Sequence, residues 1–160
     1  MSIQKGGKLP AANFLVMGSD GPESKSTQDI FAGKKVALFA LPGAFTPTCS
    51  ATHLPGYVEN ADALRAKGID TIVCLSVNDV FVMHAWGQAH TVGNDVMMLA
   101  DGNGDFTNAV GLEMDGSGFG MGLRSQRYAM VVDDGVVSTV YVETPGEFEV
   151  SSADYMLKNL

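Results

Sequence analysis

An α/β fold with a central mixed sheet flanked by helices is the class that this 160-residue chain predicts. Apolar, β-branched runs alternate with segments of helical period through the first two thirds. An Asp-Gly dipeptide then separates two further β-branched runs, and a serine-capped segment closes the chain. Hydrophobic residues make up 46% of the sequence, enough for a core without a disulfide or metal staple. No internal repeat, low-complexity run or long linker interrupts the pattern, so residues 1–160 read as one domain.

The elements follow in order. Ala12 to Met17 reads as a short strand, and Gly18-Ser19-Asp20-Gly21-Pro22 as a turn. Ser26 to Phe31 has the look of one helical turn, stopped by Gly33. Lys35 to Leu41 is a buried strand ended by Pro42-Gly43. From Thr48 to Lys67, Leu54, Tyr57, Val58, Ala61 and Leu64 recur at helical spacing, with Gly68 as the stop. Pro55-Gly56 should kink that helix or split it in two.

Thr71 to Val77 is a second buried strand, after which Asn78 or Asp79 caps a helix through Phe81, Met83, Trp86 and Ala89. Val96 to Leu99 is a strand ending at Asp101-Gly102, and Phe106 to Val110 a short helix closed by Gly111. Arg127 to Val132, the turn Asp133-Asp134-Gly135 and Val136 to Val142 form a β-hairpin. Ser151 to Asp154 caps a final helix to Leu160. A parallel β-α-β front with an antiparallel hairpin and a terminal helix is the thioredoxin-like arrangement.

Composition removes several function classes. The formal net charge of −8 and the acidic pI of about 4.6 argue against nucleic acid or an anionic membrane as partner, since both demand a basic face. No apolar run approaches the roughly 18–20 residues of a membrane span. The first residues, Met1 to Lys8, lack the apolar stretch of a secretory signal. Cys49 and Cys74 make no disulfide framework, and with three scattered histidines they form no zinc quartet. Unpaired cysteines suit a reducing cytosol, so a cytoplasmic location is expected.

The chemistry centres on Pro42-Gly43-Ala44-Phe45-Thr46-Pro47-Thr48-Cys49, where a strand end opens into a helix. A cysteine in a helix's first turn meets free N–H groups and the positive dipole end, and both favour a thiolate. Thr46 and Cys49 have C-x-x-C spacing with threonine in place of the first cysteine, so no disulfide can close within the loop. What remains is one nucleophilic sulfur beside a hydroxyl. Thr46 is expected to hydrogen-bond the sulfur and an incoming oxygen, while Pro42 and Pro47 stiffen and shield the loop.

A thiolate needs a cation. Arg124 and Arg127 stand out among the basic residues, because Gly120 to Arg127 leads into the hairpin strand, and that strand can lie beside the one before Cys49. A guanidinium placed there would hold the sulfur as its anion and also bind an oxygen gaining negative charge.

Together these residues resemble the peroxiredoxins, in particular the branch close to peroxiredoxin 5 and the bacterial glutaredoxin-linked enzymes. The motif P-x-x-x-T-x-x-C stands here as Pro42, Thr46 and Cys49, extended by Ser50 and by His53-Leu54-Pro55-Gly56. Cys74 to Asp79, Trp86-Gly87, Ala100-Asp101-Gly102 and Arg124 to Tyr128 carry the resemblance along nearly the whole chain. The resemblance implies a peroxidase that needs no metal or organic cofactor, with Cys49 as the peroxidatic cysteine attacking a hydroperoxide to give a sulfenic acid. It implies Thr46 and Arg127 as its catalytic partners, Pro42, Phe45 and Arg124 as lining of the substrate pocket, and a homodimer built around the active-site loop.

Animal members of that branch carry a further cysteine near the C-terminus that resolves the sulfenic acid. Here the region reads Phe148-Glu149-Val150-Ser151-Ser152-Ala153-Asp154. A one-cysteine mechanism is therefore expected, recycled by glutathione, glutaredoxin or thioredoxin. Cys74, mid-strand, reads as core. Two competing functions use the same sulfur: a glutathione-dependent thiol–disulfide transferase, and a redox sensor or holdase. His53, one turn beyond Cys49, reads as structure or pocket lining rather than a proton carrier. Trp86 divides evenly between core and active-site mouth, and Met97-Met98 reads as core filling. Asp101 to Asp105 echoes a calcium loop but lacks its final glutamate.

Overall fold

The computed structural model describes residues 1–160. A first hairpin pairs β1 (Asn13–Gly18) with β2 (Gly21–Ser26), and α1 (Thr27–Phe31) follows. Ser26 caps α1 through a reciprocal box with Asp29. The strand β2 had read as turn and loop, because its sequence Gly-Pro-Glu-Ser-Lys-Ser has no apolar alternation. It lies at the edge of the sheet, where a strand needs no buried face and tolerates proline and charge.

Next come β3 (Lys35–Ala40), a π-helical turn (Cys49–His53), α2 (Leu54–Glu59) and α3 (Ala61–Ala66). Pro55-Gly56 does not divide the helix. Pro55 lies in the first turn of α2, and the ladder just before it widens, with Leu54 N–H donating to Cys49 O. The slip to a five-residue spacing absorbs the missing proline N–H, and the helix breaks instead at Asn60, whose φ of −101° and ψ of 10° leave the helical range.

The chain continues through β4 (Thr71–Ser76), α4 (Val80–Ala89), β5 (Met97–Ala100) and α5 (Asp105–Ala109). Asp79, rather than Asn78, caps α4 by accepting from Val82 N–H at 2.8 Å. A two-stranded ribbon of β6 (Glu113–Asp115) and β7 (Leu123–Ser125) comes before the second hairpin, β8 (Tyr128–Asp133) and β9 (Val136–Val142). The last element, α6 (Ala153–Asn159), is capped by Ser152. Neither ribbon strand was expected; each is three residues long, too short to show a period.

The seven-stranded sheet runs β2-β1-β5-β4-β3-β8-β9. β3 pairs parallel with β4 and β4 with β5, while β8 runs antiparallel to β3, which gives the mixed sheet of the thioredoxin-like class. Strand alternation divides the core between two layers. Ala37, Phe39 and Leu41 face a layer that includes Cys49, Cys74, Tyr57 and Trp86. Val36, Leu38 and Ala40 face the other, with Phe14, Phe31 and Phe106. Trp86 is fully buried and so belongs to the core.

Candidate active site

The site forms where β3 ends. Pro42 and Gly43 turn the chain out of the sheet, and Phe45 takes φ = +62°, a conformation costly for a bulky side chain. The helix follows at once, its first backbone bond running from Ser50 N–H to Thr46 O at 2.9 Å. Cys49 therefore sits in the first turn, as the sequence implied, with its side chain fully buried.

Antiparallel pairing supplies the cation. Ala40 is opposite Tyr128, so Arg127, the residue before β8, arrives beside the loop that leaves β3. Its Nη2 donates to Cys49 Sγ at 3.1 Å. Its Nη1 lies 2.7 Å from His53 Nδ1. Arginine offers no acceptor, so Nδ1 must accept and the imidazole proton sits on Nε2, which faces Ser151 O at 3.1 Å. Burial, and then the Arg127 charge, push His53 down to a pKa of about 3. The ring is a neutral acceptor that aims the guanidinium. It is enclosed by Phe39, Tyr57 and Phe148, whose ring centroids lie 5.0, 5.8 and 5.0 Å away.

Thr46 makes no hydrogen bond to the sulfur. Its Oγ1 donates to Gly43 O at 2.6 Å and closes the turn above it. The reading that placed this hydroxyl on the sulfur is corrected: a carbonyl three residues back is the nearer acceptor in a tight turn. The lone pairs of Oγ1 remain available to accept from an incoming O–H group. Arg124 likewise binds loop rather than sulfur, through Nε to Met121 O at 2.9 Å and Nη1 to Pro42 O at 3.4 Å. A Cβ built on Gly43 would stand 3.1 Å from Arg124 Nη1 and 3.2 Å from Thr46 Cγ2, so this arginine lies close over the turn. Phe45 is 55% exposed and forms part of the open rim, with Trp86 beneath it at 6.4 Å.

Asn78, Ser76, Trp86 and Ser50, which lie in stretches that carry the family resemblance but were given no role there, also hold the site. Asn78 Oδ1 accepts from Ala44 N–H at 2.9 Å and from Ser76 Oγ at 2.6 Å, which ties the loop to the end of β4. Trp86 Nε1 donates to Ser50 Oγ at 3.0 Å, on the helix turn that bears Cys49. Cys74 is fully buried in the same core layer as Cys49, and burial pushes its thiol well above the ordinary range. His84 and His90 make no contact with the sulfur's hydrogen-bond partners. A groove of about 810 Å³, lined by Arg65, His84 and Asp95 among others, contains none of the site residues.

Chemically this is a soft nucleophile held against a fixed cation, with the Thr46 hydroxyl in the turn before it. A family model described as Redoxin matches residues 4–157. Peroxiredoxin-2B of Arabidopsis thaliana is 50% identical over 142 residues, 89% of this chain and 88% of that protein. The structure of reduced Prx3 in complex with hydrogen peroxide from Vibrio vulnificus superposes with a TM-score of 0.95 at 54% identity, covering 98% of each chain. The Plasmodium falciparum antioxidant protein, described as a 1-Cys peroxiredoxin, superposes with a TM-score of 0.91 at 28% identity, covering 99% of this chain and 100% of that one.

Proposed function

This chain belongs to the peroxiredoxin family, and from that premise we propose a thiol peroxidase that works through Cys49 alone and takes its second thiol from outside. The observation that carries the reading is Arg127 Nη2 at 3.1 Å from Cys49 Sγ. The guanidinium stands against the sulfur and meets the peroxide oxygens as negative charge moves onto them.

Cys49 thiolate attacks the distal oxygen of a hydroperoxide as the O–O bond breaks. The sulfur is oxidised by two electrons to the sulfenic acid, and water or an alcohol leaves once its oxygen has taken a proton. Thr46 Oγ1, its own hydrogen committed to Gly43 O, accepts from the peroxide O–H and orients it for in-line attack.

Hydrogen peroxide and small alkyl hydroperoxides are the substrates that suit a sulfur with no exposed surface. The hydrogen peroxide bound by the Vibrio vulnificus relative agrees with that choice. Recycling consumes two external thiols: the first condenses with the sulfenic acid and releases water, and the second reduces the mixed disulfide. Ser151, and no cysteine, occupies the C-terminal segment nearest the site, and Cys74 is a buried thiol held protonated by its surroundings. Glutathione with glutaredoxin is the reductant proposed, with thioredoxin as its competitor. The exposed side chains of Phe45, Phe81, Phe119 and Leu123 support association with a second copy of the chain. The two unpaired cysteines support a reducing, cytoplasmic setting.

Peroxide consumption tests this, with glutathione, glutathione plus glutaredoxin, and thioredoxin supplied separately and Cys49→Ser as control. Turnover with the glutathione system and one glutathione adduct per oxidised chain by intact mass is the expected result. A Cys49–Cys74 disulfide in that mass spectrum would end the one-cysteine mechanism. Activity on glutathionylated substrates without peroxide turnover would end the peroxidase assignment.

A further inference from the structure

Glu143, the residue after β9, turns its side chain into the protein and is only 6% exposed. It has no cation: the ion pairs of this structure are those of Arg65 with Asp62 and Asp95. A buried carboxylate without a counter-charge is a poor device for stability alone and must be met by hydrogen bonds. One oxygen, Oε2, accepts three, from Glu149 N–H at 2.7 Å, Ser151 N–H at 2.9 Å and Ser151 Oγ at 2.6 Å.

Those bonds fix the residue whose carbonyl accepts from the His53 ring. Ser151 O takes the Nε2 proton of His53 at 3.1 Å and the hydroxyl of Tyr57 at 2.8 Å. His53 Nδ1 in turn accepts from Arg127. The circuit closes through the main chain, because Glu143 N–H donates to Arg127 O at 3.0 Å. Glu143 thus grips Arg127 twice, at its carbonyl directly and at its guanidinium by way of Ser151 and His53. Phe148, in the loop so anchored, also stacks toward Arg127 with its centroid 5.9 Å from the guanidinium carbon.

We propose that Glu143 is a positioning residue of the peroxidase centre: its carboxylate, acting through Ser151 and His53, sets where the Arg127 guanidinium stands against Cys49. The inference rests on the thiol-peroxidase reading and adds to it a residue that touches neither peroxide nor sulfur. Loss of the grip leaves Ser151 O free to drift. His53 then follows its acceptor, and the 3.1 Å contact at the sulfur loosens.

A double-mutant cycle tests this on the reduced full-length protein, with oxidation of Cys49 by hydrogen peroxide followed by rapid quench and intact mass. Glu143→Gln is expected to slow oxidation about tenfold in the natural background and by less than about twofold in Arg127→Lys, because its effect passes through that guanidinium. Ser151→Ala, which removes only the Oγ donor, is expected to slow oxidation about threefold with the same dependence on Arg127. Should Glu143→Gln not fold by circular dichroism, the Ser151→Ala cycle decides. Equal slowing in both backgrounds, or none in the natural one, overturns the proposal. If the unmodified protein does not react with peroxide at all, the peroxidase reading has failed instead. The same cycle read by iodoacetamide alkylation of Cys49 still decides whether Glu143 acts through Arg127.

Discussion

His53 Nδ1 lies 2.7 Å from Arg127 Nη1, and that contact assigns both residues their work. An imidazole that must accept from a guanidinium cannot itself be the cation or the acid. His53 is therefore an orienting acceptor, and the positive charge at the sulfur belongs to Arg127 alone.

Replacing Arg127 by alanine is expected to slow oxidation of Cys49 by hydrogen peroxide about a hundredfold or more, the usual effect of losing a donor aimed at developing negative charge. Arg127→Lys should recover only part of the rate, since an ammonium cannot reach the sulfur and the His53 ring with one planar fork. Rapid-quench oxidation followed by mass spectrometry measures both. Equal rates for the natural protein and Arg127→Ala would remove the guanidinium from the mechanism.

His53 gives the stability of the fold a pH dependence whose sign follows from linkage. The unfolded chain takes up a proton near pH 6.5, and the folded chain refuses it until about pH 3. The unfolded state therefore binds more protons across that window, so stability falls as pH drops through it and is fully present above pH 6.5. The contribution is on the order of 5 kcal/mol at most across the window. Urea unfolding between pH 7.5 and 4 should show this slope, and His53→Gln should flatten it. An unchanged slope in that variant would mean that the ring titrates as it does in water.

Thr46 separates loop closure from peroxide binding. Thr46→Ser keeps the hydroxyl on Gly43 O and should retain activity within about threefold, whereas Thr46→Val loses both the turn bond and the acceptor and should cost about tenfold or more. Peroxide oxidation rates of the two variants make the comparison, and full activity in Thr46→Val would refute the acceptor role.

Cys74 is buried and its thiol is pushed up, so it should be a bystander. Cys74→Ala is expected to leave the peroxide rate and the glutathione adduct at Cys49 unchanged while costing about 1 kcal/mol in core packing. Unfolding curves and intact mass check the two halves of that statement separately.

The buried strands were plain in the sequence because a sheet covered on both faces demands continuous apolar runs, and Lys35 to Leu41 and Thr71 to Val77 are such runs. The Asp-Gly hairpin and the serine and aspartate caps were equally local, since each is a contact among neighbours in the chain. Edge strand β2 and the β6–β7 ribbon escaped notice for the opposite reason: their pairing is decided by partners elsewhere, and their side chains need no burial.

Cys49, at a strand end and in the first turn of a helix, was legible as a nucleophile from its own neighbourhood. Thr46 was legible beside it from the spacing and Arg124 with Arg127 from their place before the hairpin strand, and the shared family pattern singled out Pro42, Thr46 and Arg127 as a set. Which of them touches the sulfur was not legible. The sequence alone determined the strand, the loop and the helix that carry Cys49, for these depend on residues a few positions apart. The tertiary structure decided that Arg127 reaches the sulfur, that Arg124 and Thr46 hold the loop instead, and that His53 is neutral. It also decided that Glu143 and Ser151 stand behind them. Each of those outcomes depends on the register of β8 against β3 and on where the segment after β9 folds back, and hydrogen bonds between residues 74 to 98 positions apart leave no trace in local pattern.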